Sequence, residues 1–221
     1  MRLVIFDVDG TLVDSQSQII QAMEHAFGVI EQPLPTRQEI LGIVGLSLPE
    51  AFAGLIPQCD REVQQRASQA YKDSFAQNRM AGSKPKFYDG MLDVLTKLRH
   101  EDETLLAIAT GKSRRGLTSL CDHYGISSWF QSTQVADDHP SKPNPSMILQ
   151  TLRDTGVNAS QAVMIGDTSY DMQMARNANV AAIGVTWGFH PNQRLGDAHL
   201  LCDDPNELIP MIDKLLEQPN V

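Results

Sequence analysis

Cysteine is scarce in this 221-residue chain, and the three cysteines, at positions 59, 121 and 202, lie far apart. None forms a Cys-x-x-Cys pair, which argues against both a disulfide framework and a cysteine-rich zinc site. The six histidines show no His-x-x-x-His spacing, so they offer no metal-binding pattern either. We therefore expect reduced, structural thiols and no metal centre built on cysteine or histidine.

Long apolar runs and a surplus of basic residues are also missing. The longest strictly apolar run is residues 105–109, whereas a membrane-spanning helix needs roughly 20 apolar residues. The N-terminal apolar stretch meets Asp7 too soon for a secretory signal, so we expect a cytoplasmic protein without membrane contacts. With 18 Lys and Arg against 27 Asp and Glu, the formal net charge is −9, which predicts no nucleic-acid partner.

Hydrophobic residues make up 42% of the chain, enough for a packed core. From about residue 86 onward they form short apolar runs that alternate with helix-like segments. The predicted strands are residues 3–6, 105–109, 162–165 and 181–186, and the predicted helices of this part are residues 113–124 and 169–178. Continuous apolar strands that alternate with helices predict an α/β fold with a parallel sheet.

Residues 16–80 have a different pattern. Apolar residues recur at helical spacing in residues 17–27 and 61–79, and no strand pattern lies between these two segments. The sequence therefore predicts a small all-helical domain inserted after the first strand.

The predicted domain boundaries follow from this change of pattern. Residues 1–14 and 85–221 form the predicted α/β core, and residues 15–84 form the predicted helical insertion, or cap. Turn-forming residues near position 14 and in residues 80–87 are the expected hinges between the two parts.

Two carboxylates follow the first predicted strand directly. Asp7 and Asp9 are two residues apart, and residues at this spacing in extended chain face the same way. Gly10 and Thr11 then allow a sharp turn. Open α/β sheets bind ligands at the carboxyl ends of their strands, so both acids are candidate site residues.

A second acidic pair, Asp167 and Asp171, follows the predicted strand 162–165. The two acids share one face if a helix starts near Thr168, which could cap it. Acids at a helix N-terminus also simply suit the helix dipole, and for this pair alone the two interpretations are equally good. All four carboxylates at neighbouring strand ends would repel one another without a cation, and oxygen ligands favour Mg²⁺.

Two further segments could bind a phosphate group. Thr110 and Gly111 end the strand 105–109, where a hydroxyl and a backbone amide could bind phosphate oxygens. Lys142 lies in a proline-stiffened segment before a helix and could neutralise both a phosphoryl group and a carboxylate. Taken alone, a lysine of this kind would more ordinarily be a solvated surface residue.

The order of these motifs resembles that of the haloacid dehalogenase-like (HAD) hydrolases, and most of all their phosphoglycolate phosphatase-like branch with a small helical cap. The residues that carry the resemblance are Asp-x-Asp-Gly-Thr at 7–11, Thr110, Lys142, Gly166–Asp167 and Asp171. It covers nearly the whole chain. It implies a Rossmann-like core with a helical cap of the C1 type between the first and second motifs.

The resemblance also implies roles for the candidate residues. Asp7 would be the nucleophile that forms an aspartyl phosphate, and Asp9 the general acid and then the general base. Thr110, Gly111 and Lys142 would bind the phosphoryl group, and Thr110 and Lys142 would stabilise its charge. The second acid, Asp9, excludes the dehalogenase branch, whose members lack it and need no metal.

The implied metal site holds Mg²⁺. Asp7, the backbone carbonyl of Asp9 and Asp167 would bind the ion, and Asp171 would bind it directly or orient a metal-bound water. The implied function is a Mg²⁺-dependent phosphatase for a small phosphorylated metabolite, acting as a monomer or a homodimer.

Three alternatives stay open at this point. A phosphomutase like β-phosphoglucomutase would use the same aspartates, although such relatives tend to carry a basic residue where this chain has Leu46, Ser47 and Leu48. A pyrophosphatase is another possibility within the hydrolases. A phospho-signalling receiver is disfavoured because receivers are shorter, lack a cap and carry the phosphorylated Asp on a later strand.

Other residues have both a functional and an ordinary interpretation. The cations Lys112, Arg114 and Arg115 are expected to form a solvated face rather than to meet substrate. The loop at residues 45–48 is expected to reach over the site and select substrate, on resemblance alone. Residues 187–190 could contact substrate or cap, or could seal the core edge with their aromatic rings.

Overall fold

The computed structural model describes residues 1–80, 82 and 84–216 of the chain. Residues 81 and 83, which belong to the predicted hinge, and residues 217–221, at the end of the predicted core, lie outside this description. Among the described residues, no helix has the length and apolar character needed to cross a membrane.

A parallel six-stranded sheet forms the centre of the fold, in the order β5-β4-β1-β6-β7-β8, and confirms the predicted α/β class. A second, two-stranded sheet pairs β2 with β3 in antiparallel fashion. The strands are β1 Arg2–Phe6, β2 Val13–Asp14, β3 Lys86–Phe87, β4 Thr104–Thr110, β5 Ser132–Val135, β6 Ala162–Gly166, β7 Ala181–Val185 and β8 Leu200–Cys202.

Helices pack on both faces of the large sheet and also form the inserted unit. They are α1 Gln16–Val29, α2 Arg37–Gly42, α3 Leu48–Leu55, α4 Arg61–Met80, α5 Met91–Arg99, α6 Arg114–Tyr124, α7 Ser146–Thr155, α8 Ser169–Asn177 and α9 Leu208–Leu216. Every strand and helix predicted above is present, with ends that differ by at most two residues.

Strand β1 lies in the middle of the sheet because both of its faces are apolar. Val4 and Phe6 pack into the hydrophobic cluster on one face, and Leu3 and Ile5 pack into the cluster on the other. Its neighbours are β4 and β6, both parallel to it. The carboxyl ends of these three strands therefore meet at one edge, where the sequence predicts the site.

The helices between β2 and β3 have a hydrophobic cluster of their own, which includes Met23, Phe27, Phe52 and Ala67. Helices α1 and α4 form its long sides. Helix α2, which the apolar pattern did not reveal, begins at a capping box between Thr36 and Glu39. The separate cluster supports the proposed helical insertion, whose exact boundaries stay a prediction.

Candidate active site

Three buried carboxylates meet at the carboxyl ends of the central strands. Asp7, Asp167 and Asp171 each offer an oxygen, and these three oxygens lie within 4.8 Å of one another. Asp7 follows β1 and donates its backbone N–H to Ile165 of β6, at 2.9 Å. Asp167 follows the end of β6, so strand pairing places the two acids side by side.

Asp171 reaches the cluster through the first turn of α8. Thr168 caps this helix, and its backbone N–H and hydroxyl both donate to Oδ2 of Asp171, at 3.1 and 2.6 Å. The other oxygen, Oδ1, accepts a hydrogen bond from Nζ of Lys142 at 2.6 Å. One oxygen of this acid therefore completes a helix cap and the other faces the site, while its part in metal binding stays a prediction.

Lys142 is fully buried among these acids. Its Nζ lies 3.1 Å from Oδ1 of Asp7 as well as 2.6 Å from Oδ1 of Asp171. Burial disfavours the ammonium form, but the charges of Asp171 and Asp7 outweigh this effect and raise the pKa of Lys142 above its ordinary value. The lysine is therefore charged and part of the site, not a solvated surface residue.

The electrostatics of the cluster favour a bound cation. Burial raises the pKa of Asp7 to about 6, although the positive charge of Lys142 acts to lower it. Burial, together with the charges of Asp171 and Asp7, raises the pKa of Asp167 well above its ordinary value. Oδ1 of Asp7 lies 3.1 Å from Nζ of Lys142 and has no other hydrogen-bond partner among the described residues. The three carboxylates form an oxygen donor set that fits a hard divalent ion, and the single ammonium of Lys142 does not balance their charge.

Asp167 is held in place by the first motif and by the loop after β7. The hydroxyl of Thr11 donates to its Oδ1, and the backbone N–H of Phe189 donates to its Oδ2, both at 2.8 Å. Gly10 has φ +88°, and a Cβ on Gly10 or on Gly188 would collide with the Asp167 side chain. The sequence reasoning missed the Phe189 contact, because a backbone donor leaves no residue-type signal.

The carboxylate of Asp9 lies apart from this cluster, against Lys112. Nζ of Lys112 donates to both oxygens of Asp9, at 2.8 and 2.9 Å, and lies 5.7 Å from the ring centroid of Phe75 on α4. The expectation that Lys112 is an ordinary solvated cation is therefore wrong. The proposed contact of a metal with the backbone carbonyl of Asp9 stays a prediction.

The other two cations of this segment behave differently from Lys112. Arg114 donates to Oδ2 of Asp138 at 2.7 Å and to the hydroxyl of Thr133 at the same distance. Arg115 is exposed, as expected for a solvated face.

Two of the proposed phosphate-binding residues, Thr110 and Gly111, lie at the end of β4, beneath the inserted helices. Thr110 is buried, and its hydroxyl interacts with Asp7 and lowers the pKa of that acid. A Cβ on Gly111 would lie 2.7 Å from the carbonyl oxygen of Gly45. The backbone N–H of Ser47 donates to the hydroxyl of Ser141, next to Lys142, at 2.8 Å. The cap loop thus reaches over the site, and its role in substrate selection stays a prediction.

Comparison with known proteins identifies the family. The model of the family described as haloacid dehalogenase-like hydrolase matches residues 4–185. A curated "Probable phosphatase IndB" of Dickeya dadantii is 34% identical over 97% of this chain and 95% of its own length. A phosphoglycolate phosphatase of Pseudomonas putida is 29% identical over 95% of this chain and 79% of its own length.

Solved structures support the same assignment. The crystal structure of a "predicted phosphatase" from Clostridium acetobutylicum is 26% identical, has a TM-score of 0.84, and covers 98% of this chain and 99% of its own. The family model matches most of this chain, and the IndB relative is 34% identical to it. This chain therefore belongs to the haloacid dehalogenase-like hydrolase family.

Proposed function

We propose that this chain, a phosphatase, hydrolyses a small phosphorylated metabolite through an aspartyl phosphate on Asp7, with a bound Mg²⁺ ion. The observation that carries the proposal is the position of the Asp7 carboxylate. It is buried at the end of the central strand, close to two other carboxylates and one lysine, and its Oδ1 has no partner among the described residues other than that lysine.

Asp7 is suited to nucleophilic attack because its carboxylate remains ionised although burial disfavours the charged form. With a pKa of about 6, its carboxylate is mostly ionised at neutral pH. An Asp7 oxygen would form a bond to phosphorus as the bond from phosphorus to the leaving alcohol oxygen breaks. Lys142 and the hydroxyl of Thr110 would offset the charge on the phosphoryl oxygens, and the backbone N–H of Gly111 would bind one of them.

Asp9 is the proposed acid and base. In the first step the protonated form of Asp9 would give its proton to the leaving alcohol, and the second step would restore that form. In the second step it would take a proton from the water that attacks phosphorus and releases Asp7. The proposal is supported by its contact with Lys112, whose ammonium group lies near Phe75 of the inserted helix α4.

The proposed metal ligands are Asp7, Asp167 and the backbone carbonyl of Asp9, with Asp171 as a further ligand or a partner of a metal-bound water. Bound there, Mg²⁺ would neutralise negative charge on the carboxylates and the phosphoryl group. Thr11 and Phe189 fix the orientation of Asp167 through its two oxygens.

Phosphoglycolate is the first substrate to test, because the relative from Pseudomonas putida carries that name. Sugar phosphates, a sugar bisphosphate and pyrophosphate complete the panel. Phosphate release is measured with and without Mg²⁺ for the natural chain and for Asp7→Asn. Asp89→Asn, at an exposed acid outside the site, is the matched control.

We expect Mg²⁺-dependent release that Asp7→Asn abolishes and Asp89→Asn leaves unchanged. Release by Asp7→Asn at the natural rate would exclude the aspartyl phosphate. Movement of the phosphate of a sugar monophosphate from one hydroxyl to another, without release, would identify a phosphomutase instead. Preference for pyrophosphate over every monoester would identify a pyrophosphatase.

A further inference from the structure

The loop after β7, residues 187–190, contacts both the core and the inserted helices. The ring of Phe189 packs against the hydrophobic cluster of the insertion, while its backbone N–H donates to Oδ2 of Asp167 at 2.8 Å. One residue of the core therefore contacts both the interior of the insertion and a carboxylate of the site.

His190, the next residue, makes a second bridge. It is 2% exposed, and its Nδ1 accepts a hydrogen bond from the backbone N–H of Ser169 at 3.0 Å. Because Nδ1 is the acceptor, the neutral ring carries its proton on Nε2, and this nitrogen donates to the carbonyl oxygen of Gly42 at 3.1 Å. The neutral ring thus joins the start of α8 in the core to the end of α2 in the insertion.

The carbonyl of Gly42 has a second donor from the core. The hydroxyl of Tyr170, on α8, donates to the same oxygen at 3.1 Å, and its ring lies edge-on to that of His190, with 5.3 Å between the centroids. A carbonyl in the last turn of a helix has no partner within the helix, so two core side chains can satisfy it.

This bridge lies directly before the loop that covers the site. The chain continues from Gly42 to Gly45, whose carbonyl oxygen lies over Gly111, and to Ser47, whose N–H donates to Ser141. The position of Gly42 therefore determines where the cap loop, residues 45–48, lies relative to the phosphate-binding residues.

We propose that Tyr170, Phe189 and His190 form a latch that docks the helical insertion on the core and links its docking to the position of Asp167. His190 acts here as a positioning residue, through the carbonyl of Gly42. The inference rests on the proposed function only in so far as the docked loop covers the site where a phosphate ester would bind.

Hydrogen–deuterium exchange of the backbone amides in residues 43–47 of the full chain, without ligand, tests the latch. His190→Ala removes both bridging bonds and is expected to speed this exchange about tenfold, as for the loss of a buried hydrogen bond. His190→Gln is the rescue variant, because a glutamine amide offers a donor for Gly42 and an acceptor for Ser169. We expect it to restore exchange to within a few-fold of the natural chain.

Amides of β4 and β6 serve as the internal control and are expected to keep their exchange rates. Unchanged exchange of residues 43–47 in His190→Ala would overturn the proposal. If that variant does not fold, Tyr170→Phe decides the matter, since it removes only the second donor to Gly42 and keeps the ring packing. We expect severalfold faster exchange in Tyr170→Phe, and no change there would count against the latch.

A separate variant, Asp167→Ala, tests the proposed link between the latch and the site. Asp167→Ala removes the acceptor for the Phe189 N–H and is expected to speed exchange in residues 43–47, although Asp167 does not belong to the insertion. Exchange that stays at the natural rate would exclude the link.

Once an ester substrate is known, His190→Ala is expected to raise KM about tenfold with a smaller change in kcat, and His190→Gln is expected to reverse this change. Because exchange needs no turnover, the latch and the phosphatase mechanism can fail independently.

Discussion

Nζ of Lys112 donates hydrogen bonds to both carboxylate oxygens of Asp9, at 2.8 and 2.9 Å. The pair is largely shielded from solvent, with 11% of the lysine side chain and 14% of the aspartate side chain exposed. Both oxygens of the proposed acid and base are thereby fixed by one residue of the segment that follows β4. The ring centroid of Phe75, on the inserted helix α4, lies 5.7 Å from the same ammonium group.

Loss of this pair is expected to slow the reaction. In Lys112→Met the Asp9 side chain loses its only ion-pair partner among the described residues, so its orientation is less restricted. We expect kcat/KM to fall by about 10- to 100-fold for phosphate monoesters, the range typical of a misplaced acid or base. Steady-state kinetics on esters with good and poor leaving groups measure the effect, which should be larger for the poor ones.

Two further variants make this test specific. Lys112→Arg keeps the charge and is expected to retain part of the activity. Arg115→Met removes an exposed cation from the same segment and should leave kcat/KM unchanged. Equal activity of Lys112→Met and Arg115→Met would mean that the contact with Asp9 plays no part in the reaction.

The sequence predicts the central strands well because burial leaves a clear signal. β1, β4 and β6 are buried on both faces, and their continuous apolar runs are visible without a structure. β5, Ser132–Val135, was not predicted, because this edge strand is mostly polar and pairs with β4 alone. Its position depends on tertiary pairing, which local residue preference does not encode.

The candidate site, too, is predictable from the sequence only in part. That Asp7, Asp167 and Lys142 come together follows from motifs at the ends of parallel strands and from the resemblance they carry. The contacts of Lys112 and His190 do not follow, because each depends on where the inserted helices dock. A long, flexible lysine has many accessible partners, and a backbone carbonyl such as that of Gly42 has no signature in the sequence.

Gly111 should tolerate no side chain while the insertion is docked. A Cβ at this position would lie 2.7 Å from the carbonyl oxygen of Gly45 and 3.1 Å from that of Leu46. Because both neighbours are backbone atoms, we expect Gly111→Ala to lower the free energy of unfolding by about 1–3 kcal/mol and to raise KM. Urea denaturation and steady-state kinetics measure the two effects.

Gly28→Ala is the matched control for this substitution. Gly28 lies in α1, and a Cβ there would meet no heavy atom within 4 Å. Gly28 lies in the last turn of α1, so we expect the alanine to stabilise the protein by at most about 0.5–1 kcal/mol, the value for helix interiors. If Gly111→Ala were as stable and as active as Gly28→Ala, the close contact between Gly111 and the cap loop would not exist in solution.

A divalent ion should stabilise the folded chain, and more so at higher pH. The pKa of Asp7 is raised from 3.8 to about 6 in the folded state, so its ionisation costs folding stability as pH rises from about 4 to 6. A bound cation offsets this cost. At a Mg²⁺ concentration of 100 times Kd we expect a gain of about 2.7 kcal/mol at neutral pH, measured by urea denaturation.

Asp167→Asn should remove this gain, because it deletes one of the three clustered carboxylates. Asp89→Asn, outside the cluster, should keep it. A Mg²⁺ gain of the same size in Asp167→Asn would place the ion elsewhere in the protein.

His190 should make folding stability depend on pH in the opposite direction. Burial, reinforced by the charge of Arg194, lowers its pKa from 6.5 to about 4. The folded state therefore resists a proton that the unfolded state accepts, so stability present above pH 6.5 is lost as pH falls toward 4. At 1.36 kcal/mol per pKa unit the loss is about 3 kcal/mol, and His190→Gln, which does not titrate, lacks it.

Urea denaturation of both proteins between pH 4 and pH 7 measures this difference, and the same comparison at the exposed His25 controls for the substitution itself. The two stability curves should converge or cross as pH falls, since only the natural chain carries the histidine. Parallel curves would mean that His190 is protonated as readily in the folded state as in the unfolded state. The ring could then not accept the hydrogen bond from Ser169, because both nitrogens of a protonated imidazole are donors.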